Sequence, residues 1–166
     1  MKKLFYSLLA AFAIIVASCS TKKENTMSAT ATKNLEAMKG VVKCFESKDF
    51  SKLGDYVAED CIDHYWDREL KGLKEMKAEY EKWIGMSDNS PIRTVTEFAN
   101  DEYVILWTSF EETMKTTDMN MKVGEKLKKT DIEIGRFKDG KIVEHWTYIE
   151  PAAMLKMMPQ TGSEKK

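Results

Sequence analysis

Helices first and a run of antiparallel strands after them, an α+β domain, is the fold class this sequence predicts. Two observations carry the prediction. Between Asn34 and Trp83 the apolar residues recur three and four positions apart, the spacing of one helix face. After Pro91 the period falls to two, in segments rich in β-branched and aromatic residues, punctuated by Asn100-Asp101 and Asp139-Gly140.

Leu35, Met38, Val42 and Phe45 define one face of a first helix, from Asn34 to about Lys48. Ser51 is suited to cap a short second helix carrying Leu53, Tyr56 and Val57. CIDHYW (61–66) reads as a short strand leading into a loop. Leu73, Met76, Tyr80 and Trp83 mark a third helix from Gly72, with Gly85 as its natural stop. Four strands follow, over 92–99, 103–113, 127–137 and 141–150. The stretch TTDMNMKVGEK, between the second and third of these, keeps neither period and predicts an irregular connection.

The N-terminus has a different character. Met1-Lys2-Lys3 precedes the apolar run LFYSLLAAFAIIVA, and Val16-Ala17-Ser18 places small residues before Cys19. This pattern resembles a bacterial lipoprotein signal, in which the cysteine is lipidated and becomes the first residue of the mature protein. A simple anchor, or a secretory signal cut elsewhere, is the alternative. The expected organisation is a signal peptide over 1–18, Cys19 and a polar aperiodic tether to residue 33, a domain over 34–158 and a polar tail over 159–166. Removing the signal takes two of the 26 basic residues and none of the 27 acidic ones, leaving a net charge of −3. Such a surface does not seek anionic lipid, so the acyl chains would hold the protein at the cell envelope. Interspersed charges exclude a basic field for nucleic acid. Cys44 and Cys61 either pair, which export permits, or serve as small buried hydrophobes.

This order of elements, with Ile132-Glu133-Ile134-Gly135-Arg136-Phe137, Asp139-Gly140-Lys141-Ile142 and Glu144-His145-Trp146, resembles the SnoaL-like (polyketide-cyclase-like) branch of the nuclear transport factor 2-like superfamily. The resemblance covers about residues 34–150, with a second match at Asp63-His64. Tyr65-Trp66 stand where the family usually has Asn-Pro, and Val123-Gly124-Glu125-Lys126 where it has Pro-Thr-Gly. It implies a cone: a strongly curved antiparallel sheet wrapped around N-terminal helices, with a ligand pocket opening inside. Members include cyclases, dehydratases, isomerases, epoxide hydrolases and binding domains, so the fold does not fix the function. In the cyclase members an acid on the final strand acts as general base, near a histidine on the strand before. By position these fall close to Thr147 and Glu133.

Hairpin register decides which side chains share a face. A type I turn with a bulge at Gly140 sets Phe137 opposite Lys141. Asp131, Glu133, His145 and Thr147 then line one face, with Ile132, Ile134, Trp146 and Tyr148 on the other. A two-residue turn shifts the pairing by one and sets His145 beside Ile134. The bulged register is expected, because it groups polar with polar and apolar with apolar. Glu133 or Asp131 is then the candidate base, with His145 as its acid or hydrogen-bond partner, and an apolar cone would raise the carboxylate's pKa toward neutrality. A histidine beside carboxylates is also an ordinary buried partner. His64, Trp66, Tyr80, Trp83 and Trp107 are the candidate ligand-binding residues for a flat apolar molecule, with core packing as the other role for the tryptophans. Arg136 and Glu144 are expected to pair on the outer face. The sequence has no HxH, HExxH, glycine-rich phosphate loop, GxSxG or CxxC, so neither metal nor cofactor is expected.

Three functions fit these residues. The first is a membrane-tethered protein that binds a small apolar or aromatic ligand without catalysis. The second is a cofactor-free lyase, isomerase or cyclase using a pocket carboxylate and histidine. The third is an envelope interaction domain, a homodimer paired through the Ile132, Ile134, Trp146 and Tyr148 face.

Overall fold

The computed structural model describes residues 27–65, 67–117 and 120–158. Cys19, Trp66 and the 159–166 tail therefore lie outside the described residues. Helix α1 (Ala29–Ser47) opens at Ser28, whose hydroxyl accepts from Ala31 N at 2.9 Å. It thus begins ahead of the expected Asn34, and residues 29–33 are helix rather than tether. Ala31 is buried there, an apolar contact too small to register as periodicity. The single turn α2 (Leu53–Tyr56) has Lys52 at its N-cap position with no side-chain cap, so the expected Ser51 cap is not formed. Ser51 N bonds Asp49 Oδ1 instead. Strand β1 (Val57–His64) starts at Val57, earlier than expected, and β2 (Glu69–Lys71) pairs with it. In α3 (Leu73–Met86) Gly85 lies inside the last turn instead of ending the helix. The chain turns directly into β3 (Ser87–Asn89), followed by β4 (Arg93–Ala99), β5 (Tyr103–Met114), β6 (Lys126–Lys138) and β7 (Lys141–Ile149). A last helix, α4 (Pro151–Met157), has no counterpart in the periodicity; Pro151 sits in its first turn, where a missing N–H costs nothing.

The curved, unclosed sheet runs β2-β1-β7-β6-β5-β3, with β4 also on β5. Its pairs are antiparallel except β1 with β7, which run parallel and set Asp63 beside His145. Helix α1 packs Leu35, Met38, Val41 and Cys44 into a core shared with Val104, Leu106, Phe137 and Ile142. A second cluster joins Met114, Met121 and Leu127 to Ala153 and Met157 of α4. Burying the larger of these side chains contributes about 1.5–3 kcal/mol each before ordering entropy is charged against it. Cys44 and Cys61 are free and buried, and burial pushes the Cys61 thiol up to about 12. They are packing residues in this fold.

The β6–β7 hairpin departs from the expected register in an instructive way. Lys138 pairs with Lys141 across a two-residue turn, and Asp139 and Gly140 both take positive φ, 54° and 79°. That is the type I′ signature. Continued regularly, this turn would set His145 opposite Ile134. Instead Phe137 faces Ile142 while Arg136 faces Glu144, so Val143 is the extra residue of a bulge. The bulge returns His145 to the inner face, opposite Gly135, and sets Thr147 opposite Glu133. The expected face is therefore occupied, but Phe137 does not pair with Lys141 and the bulge is not at Gly140. Arg136 and Glu144 pair as anticipated, at 2.8 Å and 3.2 Å.

Candidate functional site

Alternation along the strands sends Lys129, Asp131 and Glu133 of β6, and His145 and Thr147 of β7, into a cavity of about 130 Å³. Its opposite wall is apolar, with Val42 and Phe45 from α1 and Trp83 and Ile84 from α3. Across this cavity runs a continuous polar chain. Tyr80 Oη donates to Asp63 Oδ2 at 2.9 Å. His145 Nδ1 lies 2.9 Å from Asp63 Oδ1, and its Nε2 lies 2.9 Å from Glu133 Oε2. Thr147 Oγ1 donates to that same Glu133 oxygen at 2.8 Å. Opposite His145 stands Gly135, where a Cβ would lie only 3.0 Å from the Phe137 ring and 3.3 Å from Met38 Sδ. The bare position lets Phe137 and Met38 pack close against the β6 backbone.

The chain is graded in exposure. The side chains of Asp63 and His145 are 3 % and 8 % exposed, whereas that of Glu133 keeps 21 %. Burial alone would lower the imidazolium's pKa, but Asp63 and Glu133 outweigh it and push His145 up to about 10. His145 is therefore cationic at neutral pH, with an N–H for each carboxylate. Burial, and Asp63 after it, hold the Tyr80 hydroxyl well above its ordinary pKa, so it stays a donor. Among the described residues both contacts to the Glu133 carboxylate, from His145 and from Thr147, fall on Oε2.

A second polar group occupies the adjacent end. Lys129 Nζ lies 3.4 Å from Glu112 Oε1 and 3.5 Å from Asp131 Oδ2, over the rings of Phe110 at 5.1 Å and Trp83 at 5.6 Å. Burial pushes Asp131 up to about 7, against the pull of Lys129 and with Glu133 and Glu112 adding to it. The other oxygens of these acids, Glu112 Oε2 and Asp131 Oδ1, are buried with no hydrogen-bond partner among the described residues.

Of the residues expected from sequence, Glu133, His145, Asp131, Tyr80 and Trp83 all line the cavity. Asp131 is separated from the histidine and paired with Lys129. His64 and Trp107 are not in the cavity, and this corrects their expected ligand-binding role. Asp63 faces inward, so its neighbour faces out: His64 stacks on Trp146 at 4.7 Å and lies 3.7 Å from Glu69. Trp107 is on the same outer face, opposite Ile132, and 43 % exposed. Sequence reasoning missed Asp63, Glu112 and Lys129. Counting back by two from Glu133 and Asp131 reaches Lys129, so that signal was present. Which of Asp63 and His64 faces inward depends on the β1–β7 pairing, which no local pattern reveals.

Fold and site together define an α+β domain with a curved, unclosed sheet and a cavity between sheet and helices. The chain belongs to the SnoaL-like polyketide cyclase family, whose model matches residues 35–158. Among solved structures it is similar to a SnoaL-like protein of Jannaschia sp. CCS1 (10 % identity, TM-score 0.71, covering 83 % of this chain and 99 % of that one). It is also similar to a SnoaL-like polyketide cyclase of Agrobacterium tumefaciens (16 %, 0.64, 74 % and 95 %). A third is an LEH-like epoxide hydrolase of M. tuberculosis (12 %, 0.60, 76 % and 90 %). A search of curated protein sequences finds no match.

Proposed function

We propose that the domain binds a small apolar or aromatic carbonyl compound in the cone and moves a proton on it without a cofactor. The carrying observation is Glu133, a cavity-lining carboxylate with one oxygen held by both His145 and Thr147. Fixing one oxygen orients the carboxylate, and the buried Asp63–His145 pair behind it keeps the imidazolium charged. Glu133 would take the proton from the carbon beside the ligand's carbonyl. The electron pair moves to the carbonyl oxygen, where Lys129 has a third N–H to give beyond those directed at Glu112 and Asp131. Returning the proton to a different carbon completes an isomerisation; attack of the enolate carbon on a second carbonyl closes a ring, and the alkoxide so formed takes the proton back from Glu133. Family membership supports this class of chemistry.

The test is deuterium exchange at the methyl group of acetophenone, followed by proton NMR in heavy water. The wild type should accelerate exchange, and Glu133→Gln should remove roughly two orders of magnitude of that acceleration while affinity changes little. Bound acetophenone exchanging at the buffer rate would contradict catalysis. It would favour the second reading, a pure binding protein, which has its own support: Thr147, at the family's base position, cannot deprotonate a carbon.

The same proposal extends to location. Cys19 follows an apolar run and the small residues Val16-Ala17-Ser18, as an acylated envelope lipoprotein requires. Cys19→Ser should abolish incorporation of labelled palmitate; unchanged labelling contradicts the assignment.

A further inference from the structure

The polar end of the cavity is electrostatically unfinished. Glu112 and Asp131 are each 4 % exposed, yet each has an oxygen with no hydrogen bond among the described residues. Buried acceptors are almost always partnered, so two orphans on neighbouring strands of one cavity need an explanation. No donor among the described residues reaches either of these two oxygens. Lys129 faces the other oxygen of each acid, Thr108 Oγ1 donates to the Asp131 carbonyl, and Thr147 donates to Glu133. An ionised carboxylate oxygen only accepts, so what completes Glu112 and Asp131 in that state must donate.

Charge narrows the choice between donors. The cavity and the chain behind it hold the acids Asp63, Glu112, Asp131 and Glu133 against the cations Lys129 and His145. With all ionised, the site is short of positive charge. An ammonium beside Glu112 and Asp131 would alternate with Lys129, so that positive and negative groups take turns along the cavity's polar end. A carboxylate ligand would face three acids in a medium of low dielectric, where like charges repel strongly.

We infer that Glu112 and Asp131 form a subsite for a protonated amine, so that the cavity's ligand is an apolar or aromatic body bearing an ammonium group. This rests on the reading that the cavity is the ligand site, and it is independent of whether the ligand turns over. Asp131 supports it: a carboxyl at about 7 ionises readily once a cation arrives beside it. An aromatic body would pack against Trp83 and Phe45.

Calorimetry on the full chain with three probes of one shape tests the assignment: phenethylamine, phenethyl alcohol and phenylacetate. The amine should bind at least about tenfold more tightly than the alcohol, with the acid weakest, since an ion paired in a buried site gains more than a neutral donor. Glu112→Gln should erase most of the preference for the amine over the alcohol, because the amide keeps the shape and removes the charge. Should that variant fold poorly, the ranking of the three probes on the wild type decides alone. Alcohol binding as tightly as the amine, or acid more tightly, overturns the amine subsite and leaves the cavity reading standing. Failure of all three to bind overturns both.

Discussion

At the scale of single residues the site is a problem in burying charge. An imidazolium with two carboxylates and a lysine with two more lie in an apolar cone, and each ion is tolerable because its partners stand beside it. His145 shows the consequence for stability. Its pKa is about 10 in the fold against an ordinary 6.5, so between those values the folded chain holds a proton that the unfolded chain has released. The stabilisation is complete below pH 6.5 and is lost as pH rises through 10. The urea midpoint of the wild type should therefore fall across that interval, and that of His145→Gln should fall less. Parallel profiles for the two proteins would contradict the assignment.

At the scale of elements, the bulge at Val143 decides whether there is a site. The turn Asp139-Gly140 was legible, because Asp-Gly is the dipeptide that accepts two positive φ angles in succession. The bulge was not, because no residue type marks an extra position within a strand as Gly marks a turn. The inner face was inferred correctly from the grouping of polar side chains, through a different geometry from the one that produces it. Gly140→Ala places a Cβ at φ 79° and 2.7 Å from the movable end of Lys33. It should cost about 1 kcal/mol, lowering the melting temperature by about 4 °C. No change in melting would mean that the turn adopts another form in solution. The long strands β5 and β6 were readable because eleven consecutive pairs keep strict alternation. Helix α4 was not, since its seven residues, with Ala153 and Met157 buried, are too short to show a period.

At the scale of the whole molecule, the sheet has two faces with different chemistries. The inner one carries the cavity; the outer one exposes Trp107, Ile132, Tyr148 and Phe98, each at least 40 % accessible. Rows of large apolar side chains on a curved sheet are unusual on a monomer, and we propose that a second copy covers them. Light scattering should give twice the chain mass, and Ile132→Lys with Tyr148→Glu should return it to the mass of one chain. A wild-type monomer at high micromolar concentration would contradict the pairing. The α+β order and the position of the helices were visible in the sequence because they depend on periodicities of ten or more residues. The parallel β1–β7 contact, which brings Asp63 to His145, joins residues 82 apart and becomes visible only when the sheet is assembled.

The account stands on a charged His145 held between Asp63 and Glu133, and the imidazole nitrogens report this directly. In protein labelled with ¹⁵N-histidine, with the second signal identified by His64→Gln, both nitrogens of His145 should carry protons at neutral pH and keep them until pH approaches 10. Titration of His145 near its ordinary 6.5, leaving one nitrogen bare at neutral pH, would contradict the charged chain and the role given to Glu133.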